Sequence, residues 1–292
     1  MAMDPQEFPR ATVPVFRLAG GAVTPELRGA ICERELTIVA NGEPLVRLLC
    51  SAVALRELAH GFLYSEGVVG SLDEIAAFEL DEKAMVASFA LAGPVEKPSC
   101  PTVSSGFGGK VLRSPLRDAG APVAEKPQAG AMSGVANRGR VDLAATARSM
   151  SDAVQVMAAN APEYARTRGM HCSALFRGGE MLGCFEDIGR HNTFDKLAGH
   201  CLLEGLSMEG ALLTTTGRVS AEMMRKAVAM GVAGVVSCSG PTDVAIALAR
   251  EAGVALAGYA KAPEEAVLYG VGRGARWEQP ERPADLDLAG AV

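Results

Sequence analysis

The apolar positions near the start of the chain predict two strands followed by one helix. Apolar runs at residues 35–40 and 45–50 flank Asn41-Gly42, a dipeptide typical of a tight hairpin turn. Ser51 is expected to open a helix over residues 52–65, since apolar side chains recur there at helical spacing. The pattern therefore predicts a hairpin packed against an amphipathic helix.

The remainder of the first half carries weaker signals. Residues 70–95 resemble a second strand pair, so residues 31–95 are expected to form a small N-terminal α+β domain. Residues 1–30 are rich in Pro and Gly and are expected to form an irregular arm with one strand at residues 13–18. The segment 96–136 lacks an apolar period, and a loop of that length is usually functional or disordered. We interpret it as a mobile active-site loop that joins two domains.

Strand-like and helix-like patterns alternate from residue 142 onward. Strands are predicted at residues 172–176, 181–186, 211–215, 234–237 and 254–259, and helices at residues 144–159, 192–203, 221–230 and 243–252. Asn192, Ser220 and Thr242 are natural N-caps for three of these helices. The alternation predicts a layered α/β domain with a largely parallel sheet over residues 137–275, followed by a frayed tail at residues 276–292. Because such sheets bind ligands beyond the carboxyl ends of their strands, the turns at that edge are candidate sites.

Composition narrows the classes of function. The formal net charge of −6 offers no basic surface, so nucleic acid is not an expected partner. No apolar stretch reaches the roughly 20 residues of a membrane span, and the N-terminus lacks the basic-then-apolar order of a secretory signal. The seven cysteines are scattered without a C-x-x-C spacing and are expected to be mostly small buried residues. These features predict a cytoplasmic protein with no membrane partner.

The turn before the 192–203 helix concentrates residues suited to binding an anion. It contains Asp187, Gly189, Arg190, His191 and Asn192. Backbone N–H groups at a helix start favour a phosphate, and a guanidinium adds a charged fork. A helix cap within a solvated charge cluster is the alternative interpretation.

Three further turns carry polar residues and glycine at the same predicted edge. They contain Gly217 and Arg218, then Ser239, and then the run Tyr259, Ala260, Lys261, Ala262, Pro263 and Glu264. Each turn alone is compatible with ordinary capping, and none has the spacing of a P-loop. Together the four turns predict a single ligand that bears a polyphosphate.

His171 and Cys172 stand side by side before a predicted strand, a pairing that can indicate a metal. No second His or Cys follows at ligand spacing, and the zinc deaminase signature H-x-E with P-C-x-x-C is absent. We therefore expect no intrinsic metal, and a zinc-dependent deaminase is the disfavoured alternative.

Motifs that occur in order between residues 33 and 270 resemble the FdhD family of formate dehydrogenase accessory sulfurtransferases, which are sulfur carriers. They lie at residues 35–38 with Asn41-Gly42, 57–67, 167–171, 186–196, 217–220, 239–242 and 258–261. The resemblance implies a three-layer, cytidine-deaminase-like α/β fold without zinc for the larger domain, and a homodimer.

The resemblance also implies a function in cofactor maturation. Members of the family accept sulfur from a cysteine desulfurase and pass it to the molybdenum or tungsten bis(molybdopterin guanine dinucleotide) cofactor of formate dehydrogenase. The guanine ends of that cofactor, which are GDP-like, would bind at the four polar turns. The implied cofactor-binding residues are Asp187, Gly189, Arg190, His191, Asn192, Gly217, Arg218, Ser239, Tyr259, Ala260, Lys261, Ala262, Pro263 and Glu264.

The sequence departs from the family at the loop that carries sulfur. The family reads approximately S-S-C-G-x-C-G-K, whereas Ser105 and Gly108 occupy the two cysteine positions here. A hydroxyl cannot carry a persulfide, because the chemistry requires a thiolate. Cys100, five residues before Ser105, is the candidate catalytic residue.

Two mechanisms are compatible with this loop. One is sulfur transfer through Cys100, and the other is cofactor binding and delivery without sulfur chemistry. An alternative of another class is a catalytically inactive chaperone or regulatory module that binds guanine nucleotides.

Overall fold

The structure, a computed structural model, describes residues 8–93, 103–104, 143–261 and 265–271. The strands are β1 (Arg10–Ala19), β2 (Ala22–Ile31), β3 (Glu33–Ala40), β4 (Glu43–Ser51), β5 (Ile75–Asp81), β6 (Val86–Leu91), β7 (Val103–Ser104), β8 (His171–Arg177), β9 (Glu180–Asp187), β10 (Leu212–Thr215), β11 (Gly234–Ser237), β12 (Ala255–Gly258) and β13 (Val267–Val271). The helices are α1 (Leu55–Ser65), α2 (Leu143–Ala159), α3 (Pro162–Thr167), α4 (Arg190–Leu203), α5 (Ala221–Ala229) and α6 (Asp243–Ala252), with a 3-10 turn at Leu72–Glu74. The strands form a two-stranded hairpin, a five-stranded sheet ordered β5-β6-β3-β4-β7 and a six-stranded sheet ordered β13-β12-β11-β10-β8-β9.

A long hairpin occupies most of the segment expected to be an irregular arm. β1 and β2 pair antiparallel along their whole length, from Arg10↔Ile31 to Ala19↔Ala22. Gly20 and Gly21 form the turn at φ 55° and 78°, which suits the twist of paired strands and favours glycine at both positions. The prediction of an irregular arm is wrong, because Gly20-Gly21 is itself a hairpin signal.

The five-stranded sheet confirms the predicted turn at Asn41-Gly42, where both residues have positive φ. Ser51, in contrast, does not lie where the sequence predicted. The helix α1 begins at Leu55, and Ser51 is instead the last residue of β4. The prediction that Ser51 opens the helix is wrong, because its N–H and hydroxyl donate to Asp187 of the other sheet.

The six-stranded sheet is mixed, so the prediction of a largely parallel sheet is wrong. Strands β10, β11 and β12 are parallel, whereas β8 is antiparallel to β9 and β10, and β13 is antiparallel to β12. The tight turn at Gly178-Gly179 requires this, because parallel neighbours need a long crossover connection. Helix α2 packs on one face, and α4, α5 and α6 share a core on the other. The mixed α/β class is thus confirmed, while the specific cytidine-deaminase-like layering stays a prediction.

The two sheets are joined where α1 crosses α4 at backbone contact. A Cβ on Gly61 would lie 1.7 Å from the carbonyl oxygen of Asp195, and a Cβ on Gly199 would lie 1.9 Å from that of Glu57. The buried ammonium of Lys226 on α5 lies 2.7 Å from the Asp195 carboxylate beside this crossing. Only hydrogen fits as the side chain at either glycine without moving a helix.

Most of the predicted mobile loop, and the predicted tail at residues 276–292, lie outside the described residues. Within the loop, Val103–Ser104 is described as β7, which runs parallel to β4 with Ser104 opposite Leu48. The predicted domain boundaries stay predictions. None of the helices in the described ranges is long and apolar enough to cross a membrane.

Candidate functional site

The four polar turns meet at one edge of the six-stranded sheet. Strands β9, β10, β11 and β12 all end there, and the antiparallel β8 begins there, which places His171 opposite Asp187. Backbone hydrogen bonds continue across this edge, from Thr216 N to Cys172 O and from Cys238 N to Thr215 O. The edge therefore forms one continuous surface although its parts are far apart in sequence.

The N-terminus of helix α4 lies at this edge. It begins at Arg190 with Gly189 as N-cap, and Gly189 offers no side-chain cap. The prediction that Asn192 caps the helix is wrong, because Asn192 is buried in the first turn. The positive end of the α4 dipole thus adds to the charge of Arg190 at the edge. By contrast, Ser220 and Thr242 cap α5 and α6 as predicted, by accepting from Met223 N and Ala245 N.

Asp187 holds the β9–α4 turn from inside. One carboxylate oxygen accepts from Ser51 Oγ at 2.8 Å and lies 2.6 Å from Lys196 Nζ. The other accepts from Gly189 N and Asn192 Nδ2, both at 2.8 Å. Because both oxygens are occupied and the side chain is fully buried, Asp187 positions the turn.

Asn192 links the same turn to the smaller sheet. Its Nδ2 also donates to the carbonyl oxygen of Leu49 in β4, at 2.9 Å. Leu49 follows Leu48, which pairs with Ser104 of β7. The described end of β7, immediately before Ser105, therefore lies beside a strand that supports the candidate site.

Arg190 and Arg218 place two guanidinium groups at the edge. Arg218 is exposed, whereas Arg190 is half-buried. Burial and then the neighbouring Arg218 lower the pKa of Arg190, and Glu222 opposes them. A Cβ on Gly217 would lie 2.9 Å from Arg190 Cβ, so this glycine lets the β10–α5 turn approach Arg190 closely. Two like charges held together favour an anion between or beside them.

His191 is buried behind Arg190. Its Nε2 lies 3.4 Å from both Ser220 Oγ and Glu222 Oε2. Burial, followed by Arg190 and Lys226, lowers the pKa of His191 to about 3. The imidazole is therefore neutral near pH 7 and serves as a hydrogen-bonding group between α4 and α5.

The β11 and β12 turns complete the edge. Ser239 Oγ donates to Thr216 O at 3.0 Å, which ties the third turn to the second. Tyr259 is 51% exposed and has φ 57°. A Cβ on Gly240 would lie 2.5 Å from the Tyr259 hydroxyl, so Gly240 makes room for that ring.

The residues that follow Tyr259 are placed only in part. Ala260 is buried and Lys261 is exposed. Ala262, Pro263 and Glu264 lie outside the described residues. Within the described part of this predicted cofactor-binding run, residues 259–261, the aromatic ring of Tyr259 and the ammonium of Lys261 are available to a ligand.

Three of the turn amides bond to side chains within their own turns. Gly189 N donates to Asp187, Gly217 N to Thr215 Oγ1, and Ser239 N to Ser237 Oγ. The expectation that these amides hold a phosphate directly is therefore not supported at these three positions. The charged side chains and the first turn of α4 are left to contact an anion.

His171 is a residue that the motif-based assignment omitted from the site. It is partly exposed at the start of β8, with Nδ1 3.5 Å from Thr216 Oγ1. Burial and Arg190 lower its pKa, and Asp187 opposes them. Its position before a strand was visible in the sequence, and the tight Gly178-Gly179 turn is the signal for the antiparallel β8–β9 pair that brings it to this edge.

Four of the six described cysteines, Cys50, Cys172, Cys184 and Cys201, are buried and are poor candidates for sulfur transfer, whereas Cys32 and Cys238 are partly exposed. Burial raises the pKa of Cys50 to about 12 and that of Cys201 to about 11. Cys172 and Cys184 lie with their sulfurs 3.4 Å apart inside the α2-side core. Cys100 lies outside the described residues. Across the described ranges, no group of three or more His, Cys, Asp or Glu side chains is placed to hold a metal ion.

The fold and this edge define a class of protein: a mixed α/β chain with several sheets, one of which gathers cationic and polar turns at its strand ends. The chain belongs to the FdhD/NarQ family, whose model matches residues 31–273. This confirms the family predicted from the motifs.

Individual relatives support this family assignment. The chain is 32% identical over 241 residues to the sulfur carrier protein FdhD of Shouchella clausii (strain KSM-K16), covering 78% of this chain and 82% of that protein. It is 31% identical over 254 residues to the sulfur carrier protein FdhD of Bacillus subtilis (strain 168), covering 85% and 90%.

A solved structure supports the fold. A candidate formate dehydrogenase accessory protein from Desulfotalea psychrophila superposes with a TM-score of 0.68 at 20% identity, covering 91% of this chain and 99% of that one. The shared fold therefore extends over most of the chain and is not confined to the larger sheet.

Proposed function

We propose that this protein is an accessory factor for formate dehydrogenase that binds the bis(molybdopterin guanine dinucleotide) cofactor through its guanine nucleotide ends. The observation that carries the proposal is the convergence of four turns at one sheet edge, with Arg190 and Arg218 together beside the open start of α4. Relatives at about a third identity are sulfur carrier proteins, which supports the same role.

The residues present at this edge fit a nucleoside diphosphate. Arg190, Arg218 and Lys261 supply positive charge, and the α4 dipole adds to it. The exposed ring of Tyr259 offers a surface on which a base could stack. Asp187 and Asn192 are assigned a positioning role, because their polar atoms bond to Ser51, Leu49 and the turn itself.

Calorimetry with GDP tests the nucleotide site. The parent chain is expected to bind GDP, and Arg190→Ala is expected to weaken binding by about 1.5–3 kcal/mol, the usual scale for a charge-assisted hydrogen bond. Arg177→Ala is the matched control, because Arg177 donates to Ser207 O at the opposite end of β8. No binding by the parent, or equal affinity in Arg190→Ala, would refute the assignment.

Two sulfur mechanisms accompany this binding role. In the first, Cys100 accepts sulfur from a cysteine desulfurase and presents it to the bound cofactor. In the second, the protein binds and delivers the cofactor without sulfur chemistry. The presence of Ser105 and Gly108 where the family carries cysteine favours the second mechanism.

The second candidate function is a guanine-nucleotide-binding module without a maturation role. The same substitutions at positions 105 and 108 favour it. Restoration of formate dehydrogenase activity in a strain that lacks its own accessory protein separates the two. A module without a maturation role would bind GDP yet restore no activity.

We further propose that a second copy of the chain covers the N-terminal hairpin. One face of the hairpin is apolar, and Phe16, Leu18, Val23 and Leu27 are each at least 64% exposed. An isolated two-stranded hairpin is marginally stable in water, and monomers rarely expose such a contiguous patch.

Charge favours a second copy as the occupant. Residues 10–31 carry three Arg and one Glu, a net charge of +2. The rest of the chain then carries −8, since the total is −6. A basic arm is therefore complementary to the acidic body of another copy.

A further inference from the structure

His171 stands at the centre of the candidate site, between the first two turns. A Cβ on Gly217 would lie 3.4 Å from His171 Nδ1 and 3.2 Å from Arg190 Cδ. The imidazole and the Arg190 side chain therefore flank the same small space left by Gly217. His171 is partly exposed, so a ligand at the edge can reach its ring.

The charged groups around His171 give it a net positive electrostatic environment. Asp187 on β9 is the nearby acid, but its carboxylate lies 2.6 Å from Lys196 Nζ, which balances its charge. Arg190 on α4 is cationic, and its own neighbours are the cationic Arg218 on the β10–α5 turn and the acidic Glu222 on α5. His191 on α4 is a neutral neighbour, and Thr216 contributes a hydroxyl. In the free protein this surrounding and partial burial favour the neutral imidazole near pH 7.

We infer that His171 takes up one proton from solvent when a diphosphate binds at this edge, and then holds the ligand as an imidazolium. The inference rests on the proposed nucleotide site. A diphosphate adds negative charge close to the ring, and opposite charge within about 4–6 Å favours the protonated form. No other reactant is needed, because a neutral imidazole and a solvent proton give the imidazolium.

The direction of the pH dependence follows from this change. The pKa of His171 is higher in the complex than in the free protein, where burial and Arg190 depress it. Affinity is therefore greatest below the pKa of the free protein and is lost as pH rises through the pKa of the complex. Across the interval between these two pKa values, affinity is expected to fall about tenfold for each unit by which binding raises the pKa.

The probe is GDP-mannose, whose diphosphate is esterified at both ends and has no titrating group near neutral pH. Calorimetry at pH 7 in buffers of different ionisation enthalpy measures the protons taken up on binding. The parent is expected to take up a fraction of one proton. Binding without proton uptake would overturn the inference while leaving the proposed nucleotide site intact.

Three variants assign the proton to a residue. His171→Gln is expected to bind more weakly, with no proton uptake and a flat pH profile. His171→Arg, which is always charged, is expected to retain binding and also lose the pH dependence. His200→Gln is the control, because its ring lies against Leu182 O away from this edge, and it should behave as the parent does.

Two further outcomes would contradict the inference. Undiminished proton uptake in His171→Gln would place the proton on another group and overturn the inference. Failure of the parent to bind GDP-mannose or GDP at any pH would refute the proposed site, and this inference with it.

Discussion

Lys196 Nζ lies 2.6 Å from Asp187 Oδ2, and both side chains are fully buried. Lys196 also donates to Ser51 Oγ at 3.0 Å, so the pair connects the larger sheet to the last residue of β4. The ion pair therefore stands between the two sheets and directly beneath the turn that presents Arg190.

Asp187→Asn is expected to destabilise the fold by about 3–5 kcal/mol, because it leaves the buried Lys196 ammonium without its counter-charge. Urea unfolding followed by circular dichroism measures the change. The double variant Asp187→Asn/Lys196→Met should recover a large part of the loss, since it removes the unpaired charge. A loss below about 1 kcal/mol in the single variant would show that the pair is dispensable.

Gly217→Ala tests the close approach of the second turn to Arg190. The new Cβ would lie 2.9 Å from Arg190 Cβ, which is fixed to the α4 backbone and cannot simply swing away. We expect GDP affinity to fall at least about tenfold, with a stability loss of about 1–3 kcal/mol from overpacking. Gly93→Ala is the control, because nothing lies within 4 Å of a Cβ there. Parent-like GDP affinity in Gly217→Ala would contradict the described contact.

Phe16→Asp combined with Leu27→Asp tests the hairpin as a contact between two copies. These substitutions place charge on the apolar face, so the sedimentation mass should fall from that of a dimer to that of a monomer. Thr24→Asp, on the opposite face of β2, should leave the mass unchanged. A parent chain that sediments as a monomer at all concentrations would rule out this role for the hairpin.

Sulfur loading distinguishes the two mechanisms. After incubation with a cysteine desulfurase and labelled cysteine, loading of the parent but not of Cys100→Ser would assign the carrier to Cys100. Ser105→Cys is expected to gain loading, because it restores a thiol at the family's carrier position. Cys201→Ser is the control, because burial keeps that thiol protonated and out of reach. Equal loading of the parent and Cys100→Ser would remove Cys100 from the mechanism.

Local chemistry explains which features could be predicted from sequence. Ser220 and Thr242 cap their helices through side-chain bonds to residues three positions on, and such contacts are visible in a short window. The four turns were predicted to share an edge, and they do, because β9 to β12 end there.

The Ser51 error arose because that residue depends on a distant partner, whereas the missed N-terminal hairpin had a local signal at Gly20-Gly21. Ser51 resembles a helix cap in its local sequence, yet it bonds to Asp187, 136 positions away. His171 reaches the site only because β8 runs antiparallel to β10, and strand direction depends on pairing across the sheet. An identical local pattern around Ser51 can serve either arrangement, so sequence alone could not decide its role, whereas the tight turn at Gly178-Gly179 does indicate that β8 and β9 are antiparallel.

The glycine crossing of α1 and α4 limits how this sequence can change. A single methyl group at Gly61 or Gly199 would overlap a backbone carbonyl of the facing helix, so even the smallest substitution must displace a whole element. Displacing α1 would also shift β4, whose Ser51 and Leu49 bond to Asp187 and Asn192 at the candidate site. Gly61 and Gly199 lie outside the candidate site, yet the packing that they allow limits which substitutions the site can tolerate.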